Sequence, residues 1–105
     1  MNNRAALERL LERGMDNSLL RLGLGQACLE AGEAALAAAH LQRCVELDPL
    51  YSAGWKQLGK ALLATGDSLA AERAWNQGLR VAAEKGDKQA EKEMRVFLRR
   101  LARPV

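Results

Sequence analysis

The chain has 105 residues, a net charge of +3 and two cysteines, which bounds it to one domain with one continuous core. Alanine and leucine dominate, aromatic residues are confined to Tyr51, Trp55, Trp75 and Phe97, and isoleucine is absent; this favours helix throughout and excludes an extensive sheet. The apolar runs fall short of the roughly 20 residues of a membrane-spanning helix, and the start Met1-Asn2-Asn3-Arg4 reads as no signal peptide. The expected setting is therefore the cytoplasm, with Cys28 and Cys44 as reduced core residues.

In chain order, a first helix is predicted over 3–13, with Ala6, Leu7, Leu10 and Leu11 on its apolar face and Gly14 ending it. Asp16-Asn17-Ser18 supplies capping oxygens for a second helix over 17–31, which Gly32 terminates. Glu33 is expected in the first turn of a third helix, where a carboxylate suits the positive end of the dipole. Asp48-Pro49 closes that helix, because a residue before proline is pushed out of the α region. A fourth helix over 51–65 stops at Gly66, and Asp67-Ser68 caps a fifth that reaches about residue 85. Gly86 breaks the chain again and Asp87 caps a sixth helix over 88–102, with Arg103-Pro104-Val105 as a frayed end. The short loops make successive helices antiparallel neighbours.

The segments 18–49 and 52–83 are one pattern written twice, 34 residues apart: Leu24 aligns with Leu58, Gly25 with Gly59, Ala27 with Ala61, Leu29 with Leu63, Gly32 with Gly66 and Ala37 with Ala71. A fixed period of that size marks a stacked helical repeat. Gly25, Gly59 and Gly78 lie inside helices, each costing about 1 kcal/mol against alanine. Close approach of a second helix is the reason expected for them.

The second unit reads Trp55-x2-Leu58-Gly59-x2-Leu62, then Ala71-x3-Trp75; the first reads Arg21-x2-Leu24-Gly25-x2-Cys28, then Ala37-x3-Leu41, then Asp48-Pro49. These residues resemble the tetratricopeptide repeat of small bacterial proteins, whose pattern is W-x2-L-G-x2-Y, A-x3-F and P. The chain departs from it at Arg21 in place of the aromatic residue, at Cys28 and Leu62 in place of tyrosine, and at Ala83 in place of the second proline. The resemblance implies an all-α fold: a right-handed solenoid (α-α superhelix) of about six antiparallel helices. It would hold two full repeats, 18–51 and 52–85, between a half-repeat helix at 3–16 and a capping helix at 87–102. It also implies a protein-interaction module that receives a partner segment in a concave groove lined by the first helix of each repeat.

No constellation of catalytic residues is visible. His40 is the one histidine and is expected as a partly exposed surface side chain without nucleophile or orienting partner. Leu22-Gly23-Leu24-Gly25 follows no strand, so it is no phosphate loop, and no cluster fits zinc or calcium. Neither an enzyme nor a cofactor is expected.

Helical spacing places Leu19, Leu22, Gln26 and Leu29 on the groove face of the second helix, and Ala53, Lys56, Lys60 and Leu63 on that of the fourth. The groove then has an apolar and a cationic half. Lys56 and Lys60 are either a solvated pair or a site for an acidic side chain or chain terminus, with Arg95 or Arg99 contributing. The leucines form an open patch unless the first helix or a tilt covers them. Net charge runs from −2 over 18–51 to +3 over 86–105. Self-association as a homodimer is the alternative reading, and nucleic-acid or anionic-surface binding through the basic last helix the least favoured.

Overall fold

Gly32 and Gly66 occupy equivalent corners of the two repeats, with φ of +78° and +92°. An L-residue in that left-handed region is disfavoured by about 1–2 kcal/mol, so glycine stands where each hairpin reverses. The computed structural model describes residues 3–103; the expected fraying of Pro104 and Val105 lies outside them. Six helices form within that span: α1 (Arg4–Glu12), α2 (Ser18–Glu30), α3 (Ala34–Leu47), α4 (Ser52–Ala64), α5 (Ser68–Lys85) and α6 (Lys88–Ala102). No strand is present among the described residues.

The starts of the helices follow the capping chemistry. Asn17 Oδ1 accepts from the Leu20 amide at 2.8 Å, Asp67 Oδ1 from that of Ala70 at 3.0 Å and Asp87 Oδ1 from that of Ala90 at 3.1 Å. Each satisfies an amide that the first turn leaves unpaired. Asp87 also accepts from Ser52 Oγ at 3.0 Å, which ties α6 to the start of α4. Glu33 departs from expectation: it is the residue before α3, makes no cap bond, and instead pairs with Arg4 of α1. Where Pro49 closes α3 after 14 residues, Ala83 lets α5 run on for 18, until Gly86 stops it. The extra turn brings Lys85 Nζ within 2.8 Å of the Leu50 carbonyl.

Packing gives the array its curvature. Each helix packs on the next in sequence, and α2, α4 and α6 also touch in a row. Among the described residues α3 and α5 make no such contact with each other. The row α2–α4–α6 is therefore the crowded, inner side of the curve, with α3 and α5 splayed outside it. The molecule measures 43 × 31 × 23 Å.

A core of Leu22, Cys28, Leu41, Cys44, Val45, Leu58 and Ala61 joins α2, α3 and α4, and Ala71, Trp75, Ala82, Ala90 and Met94 join α5 and α6. The stripe Ala90, Met94, Phe97, Leu101 on α6 seals the array as expected. On α1, Leu7, Leu10 and Leu11 are half-buried but Ala6 is exposed, because α1 meets α2 alone and covers a narrow strip of it. Both thiols are free and buried.

The helix-interior glycines have the steric reason expected. An ideal Cβ on Gly59 would lie 2.1 Å from Trp75 Nε1, and one on Gly25 2.4 Å from Leu41. The indole N–H of Trp75 donates to the Lys56 carbonyl at 3.0 Å, a contact possible only with the two backbones this close. At Gly23 the obstacle is the tip of Leu7, at 2.9 Å, which can rotate aside.

Arg21 shows what stands where the family motif has an aromatic residue. Its guanidinium grips Asp16 with bonds of 2.7 and 3.0 Å and donates to His40 Nδ1 at 3.0 Å. The Arg21 bond holds the Asp16 carboxyl below the usual carboxylate range. Burial, then the neighbouring Arg21 charge, lowers the His40 pKa from its ordinary value.

Two outcomes are expected. Gly59→Ala gains about 1 kcal/mol of helix propensity but overpacks against Trp75, at about 1–3 kcal/mol, so its denaturation midpoint falls; Gly23→Ala displaces only a leucine tip, so its midpoint is unchanged or rises. A group whose folded pKa is depressed favours the folded state above its unfolded pKa, about 6.5 for histidine. The melting temperature of the protein therefore declines as pH falls from 7 to 5, and His40→Gln flattens that decline.

Candidate functional site

The expected groove residues on α2 and α4 divide by burial. Leu19 is 68% exposed, whereas Leu22 is 8% exposed and belongs to the buried cluster that includes Leu58 and Ala61. The expectation of an open three-leucine patch is thereby corrected. Because α2 packs directly on α4, the middle leucine is drawn into their interface. Leu29 and Ala53 are half-buried against the same cluster. Gln26, Lys60 and Leu63 are exposed.

The two lysines have different surroundings. Lys56 Nζ lies 3.4 Å from both carboxylate oxygens of Glu93 on α6, and its side chain is half-buried. Lys60 lies one turn further along α4, its ammonium 5.2 Å above the centre of the Phe97 ring. That ring rests in turn on Trp75, with centroids 5.2 Å apart. A cation over an aromatic face is held by the ring quadrupole while its outward side stays open to solvent. Lys56 is thus paired within the fold, whereas Lys60 remains exposed.

Two clefts meet at Lys60. One, of about 580 Å³, lies between the carboxyl-terminal halves of α4 and α6, on a floor of Leu63, Trp75, Phe97 and Leu101, with Lys60, Arg100 and Arg103 around it. The other, of about 480 Å³, is lined by Gln26, Leu29 and Glu30 of α2 and by Gln57 and Lys60 of α4. The side-chain amides of Gln26 and Gln57 have no hydrogen-bond partner among the described residues.

Arg95 and Arg99 are not brought to this face. They line a furrow on the outer side of α6 with Lys88 and Lys92, and Arg95 is paired with Glu91 at 3.0 Å. In their place α6 turns Phe97, Arg100 and Arg103 toward Lys60. Sequence spacing held a signal for these: Phe97, Arg100 and Leu101 follow one another at helical intervals. What it lacked was the rotation of α6 about its own axis, fixed by Met94 and Phe97 packing on α5.

The buried groups carry no reactive chemistry of note. Burial pushes the Cys44 thiol up to about 11 and raises that of Cys28, so both stay protonated and weakly nucleophilic. His40 has its Nδ1 occupied by Arg21 and faces away from either cleft's lining. No helix among the described residues is long and apolar enough to cross a membrane.

No family model matches the sequence. The chain is 65% identical over 97 residues to the TPR repeat-containing protein PA0015 of Pseudomonas aeruginosa, covering 92% of each. It is also similar to the solution structure of protein BPP2914 from Bordetella parapertussis, with a TM-score of 0.81 and 45% identity over 94% of this chain and 86% of that one. The repeat spacing, the stacked antiparallel hairpins and the near full-length match to a named relative agree, and the chain belongs to the tetratricopeptide repeat family.

Proposed function

We propose that the protein is an interaction module that holds a segment of another protein along the face formed by α2, α4 and α6, with Lys60 at its centre. The observation that carries this reading is the pair of clefts that share Lys60 as a lining residue, one between α4 and α6 and the other between α2 and α4. Their lining combines apolar floor, uncommitted amides and cations, the mixture that recognises a polypeptide by side chain and backbone together. The fold supplies it on rigid helices, so binding needs little ordering of the module itself. The role is one of binding without chemistry, in the cytoplasm, where free thiols stay reduced.

Electrostatics select among partners. Lys60, Arg100 and Arg103 favour an acidic segment, and Glu30 disfavours one at the opposite end. Lys56 takes little part, because Glu93 already neutralises it. Reversing Lys56 would set a carboxylate against Glu93 and disturb the α4–α6 contact, so Lys60 is the cleaner probe.

Partners captured from a lysate of the native host by the wild-type protein are expected to be lost by Lys60→Glu and retained by Arg73→Glu, a reversal on the exposed face of α5. For one acidic partner, reversal of a single rim cation is expected to weaken binding several-fold at low salt, up to about tenfold, and less at high salt. Equal capture by the Lys60→Glu and Arg73→Glu variants would move the contact off the inner face.

A further inference from the structure

We propose that the cleft between the carboxyl-terminal halves of α4 and α6 is an anchor site for an acidic-apolar segment of a partner polypeptide, seating one large apolar side chain between flanking carboxylates. This rests on the groove reading above and assigns its two halves different tasks: the α4–α6 end anchors, and the α2–α4 end guides the chain that follows.

The first support is the state of the cations. On the inner face Lys56 is neutralised from within by Glu93. Lys60, Arg100 and Arg103 line the cleft with no carboxylate partner among the described residues. Three like charges around one opening repel one another, and an anionic ligand relieves that repulsion while gaining its own attraction.

The second support is the floor. Leu63 is 42% exposed, an open position for a leucine, and it faces the cleft with Phe97, Leu101 and the edge of Trp75. About 580 Å³ accommodates a leucine- or phenylalanine-sized side chain together with the backbone around it. No carboxylate is among the lining residues. Apolar floor and cationic rim thus specify a ligand with carboxylates on both sides of an apolar group.

The third support favours a polypeptide over a free amphiphile. An acyl carboxylate would fill this cleft and stop. Lys60, however, also lines the second cleft, where the amides of Gln26 and Gln57 have no partner among the described residues. Such amides match the alternating donors and acceptors of an extended backbone. Glu30 at the far end requires that this part of the segment be neutral or basic, so the charge of the ligand must be lopsided.

The test uses the full chain and a short fluorescein-labelled peptide with a leucine between two aspartates at one end and uncharged residues at the other, read by anisotropy. Saturable binding is expected. Arg100→Glu combined with Arg103→Glu is expected to weaken it by about tenfold or more at low salt, and a peptide with serine for leucine to bind at least as poorly. Leu63→Ser, which leaves the core intact, is expected to weaken it about threefold. Should the double reversal loosen α6, Arg100→Gln with Arg103→Gln keeps the helix and is expected to show the same direction at smaller size, with circular dichroism reporting the fold. Loss of binding in Gln26→Trp or Lys60→Glu, with none in the Arg100 and Arg103 variants, would retain the groove and overturn the anchor. Binding unaffected by any of these variants, or absent altogether, would overturn both. Saturable binding of decanoate that the peptide does not compete for would make the occupant a small amphiphile and overturn the proposal.

Discussion

The contact on which the arrangement depends is that of Trp75 with the backbone of α4 at Gly59. The absent Cβ lets the indole lie flat against the helix and donate to the Lys56 carbonyl. From there the geometry propagates outward: Trp75 supports Phe97, Phe97 sets the rotation of α6, and Lys60 rests on its ring. Gly25 against Leu41 and Gly78 against Met94 repeat the device at the neighbouring interfaces. Each glycine gives up local helix stability for a close approach that a methyl group would forbid. The outer surface is thus fixed by what is missing from three positions inside.

Much of the fold was legible because repeat architectures write the same instruction more than once. The corners at Gly32 and Gly66, the caps at Asn17, Asp67 and Asp87, and the sealing stripe on α6 all follow from local rules that need no knowledge of distant contacts. The length of α5 was legible in principle too, since Ala83 removes the proline that closes α3. Glu33 stands one residue before the expected first turn, at the start of α3, and its partner Arg4, 29 residues earlier on another helix, was not legible from local rules.

The candidate site was less legible, for the same reason. Helical spacing put Leu22, Lys56 and Lys60 on one side of their helices, but exposure and charge are decided between helices. Leu22 is covered by α4, and Lys56 is neutralised by Glu93, 37 residues away. Arg95 and Arg99 were expected at the groove, but the packing of α6 on α5 brings Arg100 to the cleft beside Lys60 instead. One helical step of 100° separates a residue on the groove from one on the outer wall, and sequence periodicity alone does not set that zero.

Cohesion along such a stack is a sum over neighbouring pairs, and the pairs here are unequal. α1 contains no buried residue and touches α2 alone, fastened by Arg4 to Glu33 and by Leu7 lying over Gly23. α4, by contrast, is gripped from four sides. The molecule consequently has a soft end and a hard end. Thermal opening is expected to begin at the amino-terminal helix, at a fraction of the cost of global unfolding, with the aromatic seat of Lys60 still in place.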